Sequence, residues 1–444
     1  MVRLLAAHSS CRQHAPSSDG WPGQMSAPRS AYVHIPFCHR RCFYCDFAVV
    51  PLGDHAGTPS GTGSGSIRTY LSQLHKEIAL APKGPPLATL YIGGGTPSLL
   101  TPIQIRDLLE ALRRQFGFQA GAEITLEMDP ASFDLSDLQA LIKAGVNRVS
   151  LGGQSFDDRV LEGLGRRHRR GDLQKCCRWL RDGLRDGALR SWSLDLIRNL
   201  PEQTLEAWSA QLELALTTGA PHLSIYDLAV EPGTVFAWRQ QRGELPLPDD
   251  DLAVALMTST SDRLGRAGFC RYEISNYAQP GHASRHNRVY WSGAGWWGFG
   301  MGATSAPWGE RLARPRTREG YASWLEEQQR GLHPSLQHSM AAALPLDDRL
   351  LVGLRRREGV QLRQQARSCG WSDACCDQHL PTLEARWQEA LNRGLLIHAS
   401  GRWRLSDPEG MALSNQVLVE LVCWWEELPT ELQGAAPAAG SPNL

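Results

Sequence analysis

The stretch HIPFCHRRCFYCDF, residues 34–47, determines most of what this sequence predicts. Its three cysteines, Cys38, Cys42 and Cys45, have the spacing C-x3-C-x2-C and follow directly after a strand-like run. Cysteine thiolates are the soft ligands of iron–sulfur clusters, and three of them can hold three irons of a [4Fe–4S] cube. No fourth cysteine is nearby in the sequence, so one iron would remain open to a non-protein ligand, as in a working metal site.

Zinc is the alternative metal for the same cysteines. It would require a fourth ligand in a compact pattern, and His34 or His39 could serve. The chain has eleven cysteines, an odd number, without a secretory signal, which argues against a disulfide framework and for a reducing compartment. The spacing of the three cysteines favours the cluster over zinc.

Around the cysteine motif, strand-like and helix-like runs alternate as far as residue 228. The six predicted strands are 31–35, 89–92, 124–128, 148–152, 193–197 and 222–228. The predicted helices are 68–80, 103–116, 135–144, 156–182 and 204–218. Repeated β–α units predict an α/β fold with a parallel sheet and right-handed crossovers, here an open, partial (β/α)6 barrel. In barrels of this kind the chemistry lies at the C-terminal ends of the strands.

The segments at the amino-terminal side differ from this core. Residues 1–29 hold three arginines and one acid, and we expect a disordered tail or an extension upstream of a start at Met25. A weak organelle transit peptide is the alternative. Residues 55–66, HAGTPSGTGSGS, are rich in Gly, Ser and Thr and predict a flexible insertion in the 30–310 core.

The second half of the chain predicts an extension and a smaller domain. Residues 229–310 are rich in Gly and Trp and read as an irregular extension of the barrel. Residues 335–430 predict a helical, winged-helix-like domain with a hairpin formed by 394–397 and 402–405. Residues 431–444 are rich in Ala, Pro and Gly and predict a disordered tail.

Composition excludes several classes of protein. The 46 basic and 46 acidic residues give zero formal net charge, so no general attraction to nucleic acid or acidic membranes is expected. No apolar run is long enough to cross a bilayer, which argues against an integral membrane protein. These features predict a cytoplasmic protein.

The cysteine spacing, with aromatic Tyr44 just before the last cysteine, resembles that of the radical S-adenosylmethionine (SAM) superfamily. The resemblance implies a [4Fe–4S] cluster whose open iron is chelated by the amino and carboxylate groups of SAM. It also implies that an electron from the cluster cleaves SAM to methionine and a 5′-deoxyadenosyl radical, and that a flavodoxin- or ferredoxin-like protein supplies the electron.

Polar residues at successive predicted strand ends fit a SAM pocket. The loop TLYIGGGTPS, residues 89–98, carries three glycines that let the backbone approach a ligand. The resemblance implies that this loop binds the SAM amino group, that a carboxylate on the third strand accepts hydrogen bonds, and that Arg166 of LGRRH pairs with the SAM carboxylate. The complete set of implied SAM contacts is Tyr32, Tyr44, Gly94, Gly95, Thr96, Glu127, Gln154, Arg166 and Asp195.

Longer motifs resemble one branch of the superfamily, which contains the oxygen-independent coproporphyrinogen III dehydrogenases and the HemW heme chaperones. They are HIPFCxxxCxYCDF, GGGTPS, LGRRH, LPEQT, EPGT, YEISNYA and HNRVYW. The dehydrogenases carry a further cysteine two residues past the third, where this chain has Phe47, as the HemW group does. The H-N-x-x-Y-W motif is associated with heme, which makes His286 the favoured axial ligand and His282 a less favoured substitute. A buried structural histidine is the alternative for His286.

The resemblance implies two functions. The favoured one is a heme chaperone that binds heme and delivers it to an acceptor protein, with possible peripheral contact at a membrane acceptor. The other is the radical decarboxylation of coproporphyrinogen III to protoporphyrinogen IX, against which Phe47 counts. Two motifs depart from the branch pattern: Arg198 and Asn199 stand where Tyr and Gly are usual, and GFGMGATS, residues 298–305, lacks the usual Pro and His.

Overall fold

The structure is a computed structural model, and it describes residues 27–53, 63–307, 311–331 and 344–433. Most of the predicted extension 1–29 and of the predicted insertion 55–66 lies outside the described residues. So do the tail from residue 434 and the start of the predicted C-terminal domain at 335.

A nine-stranded sheet forms the centre of the molecule, and three short ribbons lie outside it. The strands are β1 Ser30–Ile35, β2 Phe37–Cys38, β3 Val50–Pro51, β4 Leu87–Gly94, β5 Phe118–Met128, β6 Arg148–Gln154, β7 Ser191–Arg198, β8 His222–Asp227, β9 Cys270–Arg271, β10 Asn276–Ala278, β11 Trp297–Phe299, β12 Thr304–Ser305, β13 Leu312–Ala313, β14 Leu396–Ala399 and β15 Arg402–Leu405. Strands β1, β4, β5, β6, β7 and β8 are neighbours in that order and all pair in parallel. The six predicted strands and the parallel α/β sheet are confirmed.

The helices cover the sheet and build the C-terminal region. They are α1 Ser64–Leu80, α2 Pro102–Gln115, α3 Leu135–Ala144, α4 Asp158–Gly163, α5 Arg170–Arg185, α6 Leu205–Thr217, α7 Val235–Gln241, α8 Asp250–Arg266, α9 Arg285–Ser292, α10 Arg318–Gln329, α11 Leu346–Leu354, α12 Leu362–Ser368, α13 Asp373–Arg386, α14 Gln388–Asn392, α15 Glu409–Ala412, α16 Ser414–Glu426 and α17 Thr430–Gln433. The predicted helix 156–182 is two helices, because Gly165 takes a positive φ of 77° directly after α4.

The prediction that residues 229–310 are irregular is wrong. Helix α8 lies in this segment, with Asp249 as its N-cap and buried residues Leu256, Met257, Thr260 and Leu264 on one face. Three short strands of the same segment extend the sheet: β11 pairs in parallel with β1, while β10 and β9 continue antiparallel beyond β8. Because these strands have only two or three residues each, period-two alternation is too short to detect in the sequence.

The C-terminal region has its own hydrophobic core and touches the barrel at specific points. The predicted hairpin is confirmed as the antiparallel pair β14 and β15, and helices α11 to α17 surround it. Arg271 on β9 forms a 2.9 Å ion pair with Asp407, and Arg288 on α9 pairs with Glu358. None of the described helices is both long and apolar enough to cross a membrane.

Candidate functional site

The three cysteines of the motif line one cavity at the C-terminal ends of the strands. The cavity has a volume of about 460 Å³, within the roughly 300–1,000 Å³ typical of small-molecule sites. The short ribbon β2–β3 joins the two ends of the cysteine loop: Val50 N donates to Pro36 O at 2.7 Å, and Leu52 N donates to Cys38 O at 2.8 Å. The loop is therefore held at both ends while its thiols face the cavity.

Burial favours the protonated form of two of these thiols, Cys38 and Cys45. It raises the pKa of Cys38 to about 12, and it also raises the pKa of Cys45. The guanidinium of Arg166 lies 3.6 Å from Cys42 Sγ, so a positive charge stands beside the cysteines. Thiols of this kind are protonated when no metal is present, and binding of iron would release their protons. The charge of Arg166 would stabilise the negative charge that the thiolates carry once iron binds.

The two histidines suggested as zinc ligands lie in different surroundings. His34 is buried, and both of its ring nitrogens have partners: Nδ1 lies 2.9 Å from Tyr32 Oη, and Nε2 lies 2.9 Å from Ala48 O. His39 lines the cavity beside the cysteines. Across the described ranges, no three His, Cys, Asp or Glu side chains converge where they would hold a single metal ion.

The glycine loop after β4 packs directly against the cysteine loop. Gly95 N donates to Ile35 O at 2.8 Å, and Thr96 N donates to Phe37 O at 2.7 Å. A Cβ atom on Gly95 would lie 2.8 Å from Cys38 Sγ, so any larger residue here would displace the thiol. Gly94 has a φ of 117°, which disfavours other residues. These glycines place a backbone edge beside Cys38, and their binding of the SAM amino group stays a prediction.

Glu127 at the end of β5 ties this glycine loop to the sheet. Its Oε2 accepts from Gly94 N at 2.8 Å, and its Oε1 accepts from Tyr91 Oη at 2.8 Å. Burial raises the pKa of Glu127 to about 7, although both hydrogen bonds favour the ionised form. Tyr91 lines the cavity, whereas predicted Tyr32 does not and instead stacks on the ring of Tyr91.

The remaining predicted SAM contacts line the same cavity. Tyr44, Gln154, Arg166 and Asp195 are all lining residues. Gln154 has a positive φ of 56°, and its buried Oε1 has no hydrogen-bond partner among the described residues, which leaves it available to a bound group. Asp195 Oδ2 accepts from a serine on β6 at 2.8 Å.

Arg166 is held by Asp129, a residue that the sequence analysis missed. The two form an ion pair, and Arg166 Nη2 also donates to Gly152 O at 3.0 Å. The charge of Arg166 keeps the pKa of Asp129 below its usual range, although burial opposes this. Asp129 stands two residues beyond Glu127 in EMDP, directly after the strand, and that position was the available signal. Binding of the SAM carboxylate by Arg166 stays a prediction.

His286 does not line the cavity but lies inside the barrel, where its ring stacks on that of the lining residue Tyr91. Helix α9 carries His286, and Glu123 in the middle of β5 caps that helix by accepting from His286 N at 3.0 Å. Thr89 Oγ1 donates to Ser30 Oγ, so its contact of 2.9 Å with His286 Nδ1 requires a proton on that nitrogen. Nε2 then accepts from Tyr290 Oη at 2.8 Å.

The surroundings of His286 determine whether it could bind heme iron. His286 is fully buried, and burial lowers its pKa to about 3, so the imidazole is neutral. With the proton on Nδ1, the lone pair lies on Nε2, as an axial ligand of heme iron requires. That lone pair already accepts a hydrogen bond from the Tyr290 hydroxyl. Iron could bind this nitrogen only after Tyr290 moves. His282 is half-buried, and its Nδ1 lies 3.1 Å from Ser191 Oγ.

We expect the buried carboxyl of Glu127 to make stability pH-dependent. Its pKa of about 7 in the folded protein exceeds its ordinary value of 4.5, so its contribution is fully present below pH 4.5 and is lost as the pH rises through about 7. The free energy of unfolding of the metal-free protein, measured from about pH 5 to about pH 8, should therefore fall more steeply in the wild type than in Glu127→Gln. Equal slopes for the two proteins would contradict this assignment.

Comparison with known proteins defines the class first. The profile of the radical SAM superfamily matches residues 32–214, which include the three cysteines and the strand ends described above. The protein is a radical SAM protein, and membership of this superfamily implies SAM and a [4Fe–4S] cluster. The solved structure of coproporphyrinogen III oxidase (HemN) from Escherichia coli, a radical SAM enzyme, has the same fold. Its TM-score is 0.71 at 21% identity, covering 89% of this chain and 90% of that one.

Sequence similarity then defines the family. The heme chaperone HemW of Synechocystis is 39% identical over 415 residues, 91% of this chain and 99% of that protein. The heme chaperone HemW of Escherichia coli is 32% identical over 396 residues, 88% of this chain and 97% of that protein. Because the similarity spans nearly the whole of both relatives, the chain belongs to the HemW family.

Proposed function

We propose that this protein is a heme chaperone that binds heme together with a SAM-ligated [4Fe–4S] cluster and delivers the heme to an acceptor protein. The observation that carries the proposal is the similarity to HemW proteins along 97–99% of their length. The cavity adds support, because it brings the three cysteines together with most of the residues expected to contact SAM.

The residues of the chain have separate tasks in this proposal. Cys38, Cys42 and Cys45 would hold three irons, and the backbone edge at Gly94 and Gly95 would bind the amino group of SAM. Reduction of SAM by the cluster would supply a 5′-deoxyadenosyl radical. The protein itself would orient SAM through hydrogen-bonding groups that its own contacts hold in place, such as Glu127 and Arg166.

The heme ligand in this proposal is His286. Its Nδ1 proton is fixed by Thr89, as the second nitrogen of an iron ligand usually is, and Tyr290 would have to release Nε2. The heme acceptor, a flavodoxin- or ferredoxin-like electron donor and a cytoplasmic location complete the proposal.

An anaerobic titration tests the function. The cluster is reconstituted, heme is added in steps, and the Soret band is followed with iron-free protoporphyrin IX as a matched control. We expect saturable binding of about one heme per chain and much weaker binding of the iron-free ring, because an axial ligand adds to burial of the macrocycle. Equal affinity for the two rings would argue against axial ligation, and absence of saturable binding would refute the chaperone function.

The alternative function is coproporphyrinogen III dehydrogenation, which the HemN-like fold allows. Phe47 counts against it, since this side chain stands where that enzyme has a fourth cysteine and exposes 54% of its surface at the cavity. The reconstituted protein is incubated with SAM, a reductant and coproporphyrinogen III, and vinyl-bearing products are measured. We expect none above background, and catalytic turnover would replace the chaperone with the enzyme.

A further inference from the structure

We infer that His286 and Tyr290 are positioning residues for the SAM site, acting on its glycine edge from inside the barrel through Tyr91. The inference rests on the proposed function only in taking the cysteine cavity as the place where SAM binds. It assigns the H-N-x-x-Y-W segment a role in the protein before any heme is bound.

Two sets of contacts connect His286 on α9 with Gly94 at the cavity, and together we call them the path. The first contact of this path joins helix α9 to strand β4. The ring of His286 stacks on the ring of Tyr91, with centroids 5.3 Å apart and planes 27° apart. His286 cannot rotate freely, because Thr89 holds Nδ1 and Tyr290 holds Nε2. Tyr290 is itself packed edge-on against Trp296, with centroids 4.8 Å apart.

The second contact joins strand β4 to the cavity. The ring of Tyr91 stacks on His286 and also on Tyr32, and these two contacts fix the direction of its hydroxyl. That hydroxyl donates to Glu127 Oε1, and the other carboxylate oxygen accepts from Gly94 N. A tilt of the Tyr91 ring would therefore shift the Glu127 carboxylate and, through it, the backbone of Gly94 at the SAM site. Misplacement of positioning groups by about 1 Å can reduce function strongly.

Helix α9 has a rigid support of its own. Glu123 accepts from the backbone amides of both Arg285, at 3.1 Å, and His286, at 3.0 Å. Ser284 caps the helix by accepting from Asn287 N. From the C-terminal region, Glu358 pairs with Arg288 on the same helix. The path therefore begins at an element that is fixed on both sides.

The test uses the full chain with its cluster reconstituted anaerobically and no heme present. SAM affinity is measured by equilibrium dialysis of radiolabelled SAM against the oxidised cluster, which has no electron with which to cleave it, and iron and sulfide are counted in every variant. We expect Tyr91→Phe and His286→Ala each to weaken SAM binding about tenfold, and Tyr290→Phe about threefold, with unchanged cluster content. Tyr290→Phe removes one hydroxyl only, so it remains informative if His286→Ala fails to fold.

A double-mutant cycle separates positioning from a general loss of structure. If His286 acts through Tyr91, the variant Tyr91→Phe/His286→Ala should bind SAM no more weakly than the worse single variant. Tyr277→Phe is the control, because Tyr277 is a tyrosine that is even more buried than Tyr91 and whose hydroxyl is hydrogen-bonded to Arg271, but it has no contact with this path. We expect wild-type SAM affinity for the control.

Three outcomes of the SAM measurements alone would overturn the inference. They are SAM affinities within about twofold of wild type in both His286→Ala and Tyr290→Phe, additive effects of about 100-fold in the double variant, or an equal loss in Tyr277→Phe. Loss of the heme Soret band in His286→Ala with unchanged SAM affinity would also overturn it and leave His286 as an iron ligand alone. Failure of the wild type to bind heme, with these SAM affinities as expected, would refute the chaperone function and leave the inference standing.

Discussion

Cys38→Ala is expected to abolish the iron–sulfur cluster and, with it, SAM binding. Cys38 begins the cysteine loop, lies against Gly95 and faces the same cavity as Cys42 and Cys45. Two thiolates leave two irons of the cube without protein ligands, and such a cluster does not survive reconstitution and desalting. Iron and acid-labile sulfide should fall from about four of each per chain to background.

The matched control is Cys423→Ala. Cys423 is also a free, partly exposed thiol, but it lies on α16 in the C-terminal region, far from the cavity in the fold. Its loss should leave iron and sulfide content and SAM binding at wild-type levels. If Cys38→Ala retained its cluster, the assignment of the whole site would be wrong, because no other residue of the glycine loop or the strand ends offers a comparable iron ligand.

The sheet and the lining of the cavity were predictable because both follow from local sequence patterns. Each of the six central strands is a short apolar run, and parallel strands place their C-terminal ends at the same edge. Glu127, Gln154 and Asp195 stand at such ends, so their convergence followed from the topology. The motif around Cys38 then gave the chemistry of that edge.

Contacts between distant parts of the chain were not predictable in the same way. Asp129 and Arg166 are 37 positions apart, and Thr89 and His286 are 197 apart. Pairing of this kind depends on the final packing and leaves no periodic signal in one sequence. For this reason the sequence could offer His286 as a heme ligand but could not show that it lies inside the barrel with both ring nitrogens in use.

The segment GFGMGATS, residues 298–305, is a second feature whose contacts with distant parts of the chain could not be predicted. In the sequence it stood out only by lacking the Pro and His that are usual in this branch. In the structure it lies against the start of the cysteine loop, and a Cβ atom on Gly300 would lie 2.7 Å from His34 O. A fully buried carboxylate holds it there: Glu77 Oε2 accepts from Gly300 N at 2.7 Å.

The partner of that carboxylate gives the second large prediction. Arg314 Nε donates to Glu77 Oε1 at 2.8 Å, and both side chains are almost completely buried. Arg314→Met would leave a buried carboxylate without its counter-ion, which costs about 3–5 kcal/mol of unfolding free energy. Denaturant unfolding measures this, with the exposed pair of Arg185 and Asp182 as the control: Arg185→Met should cost under about 1 kcal/mol.

The double variant Glu77→Gln/Arg314→Met distinguishes an unpaired charge from lost packing. A neutral amide can still accept from Gly300 N and from the Tyr321 hydroxyl, which lies 2.7 Å from Glu77 Oε2. We therefore expect the double variant to be more stable than Arg314→Met alone. If the double variant is no more stable than Arg314→Met, the unpaired charge is not the cause of the loss, and the lost packing of the Arg314 side chain accounts for it. Since the Gly300 loop contacts the strand that leads to Cys38, the unpaired carboxylate should also lower cluster retention, whereas the double variant should recover it.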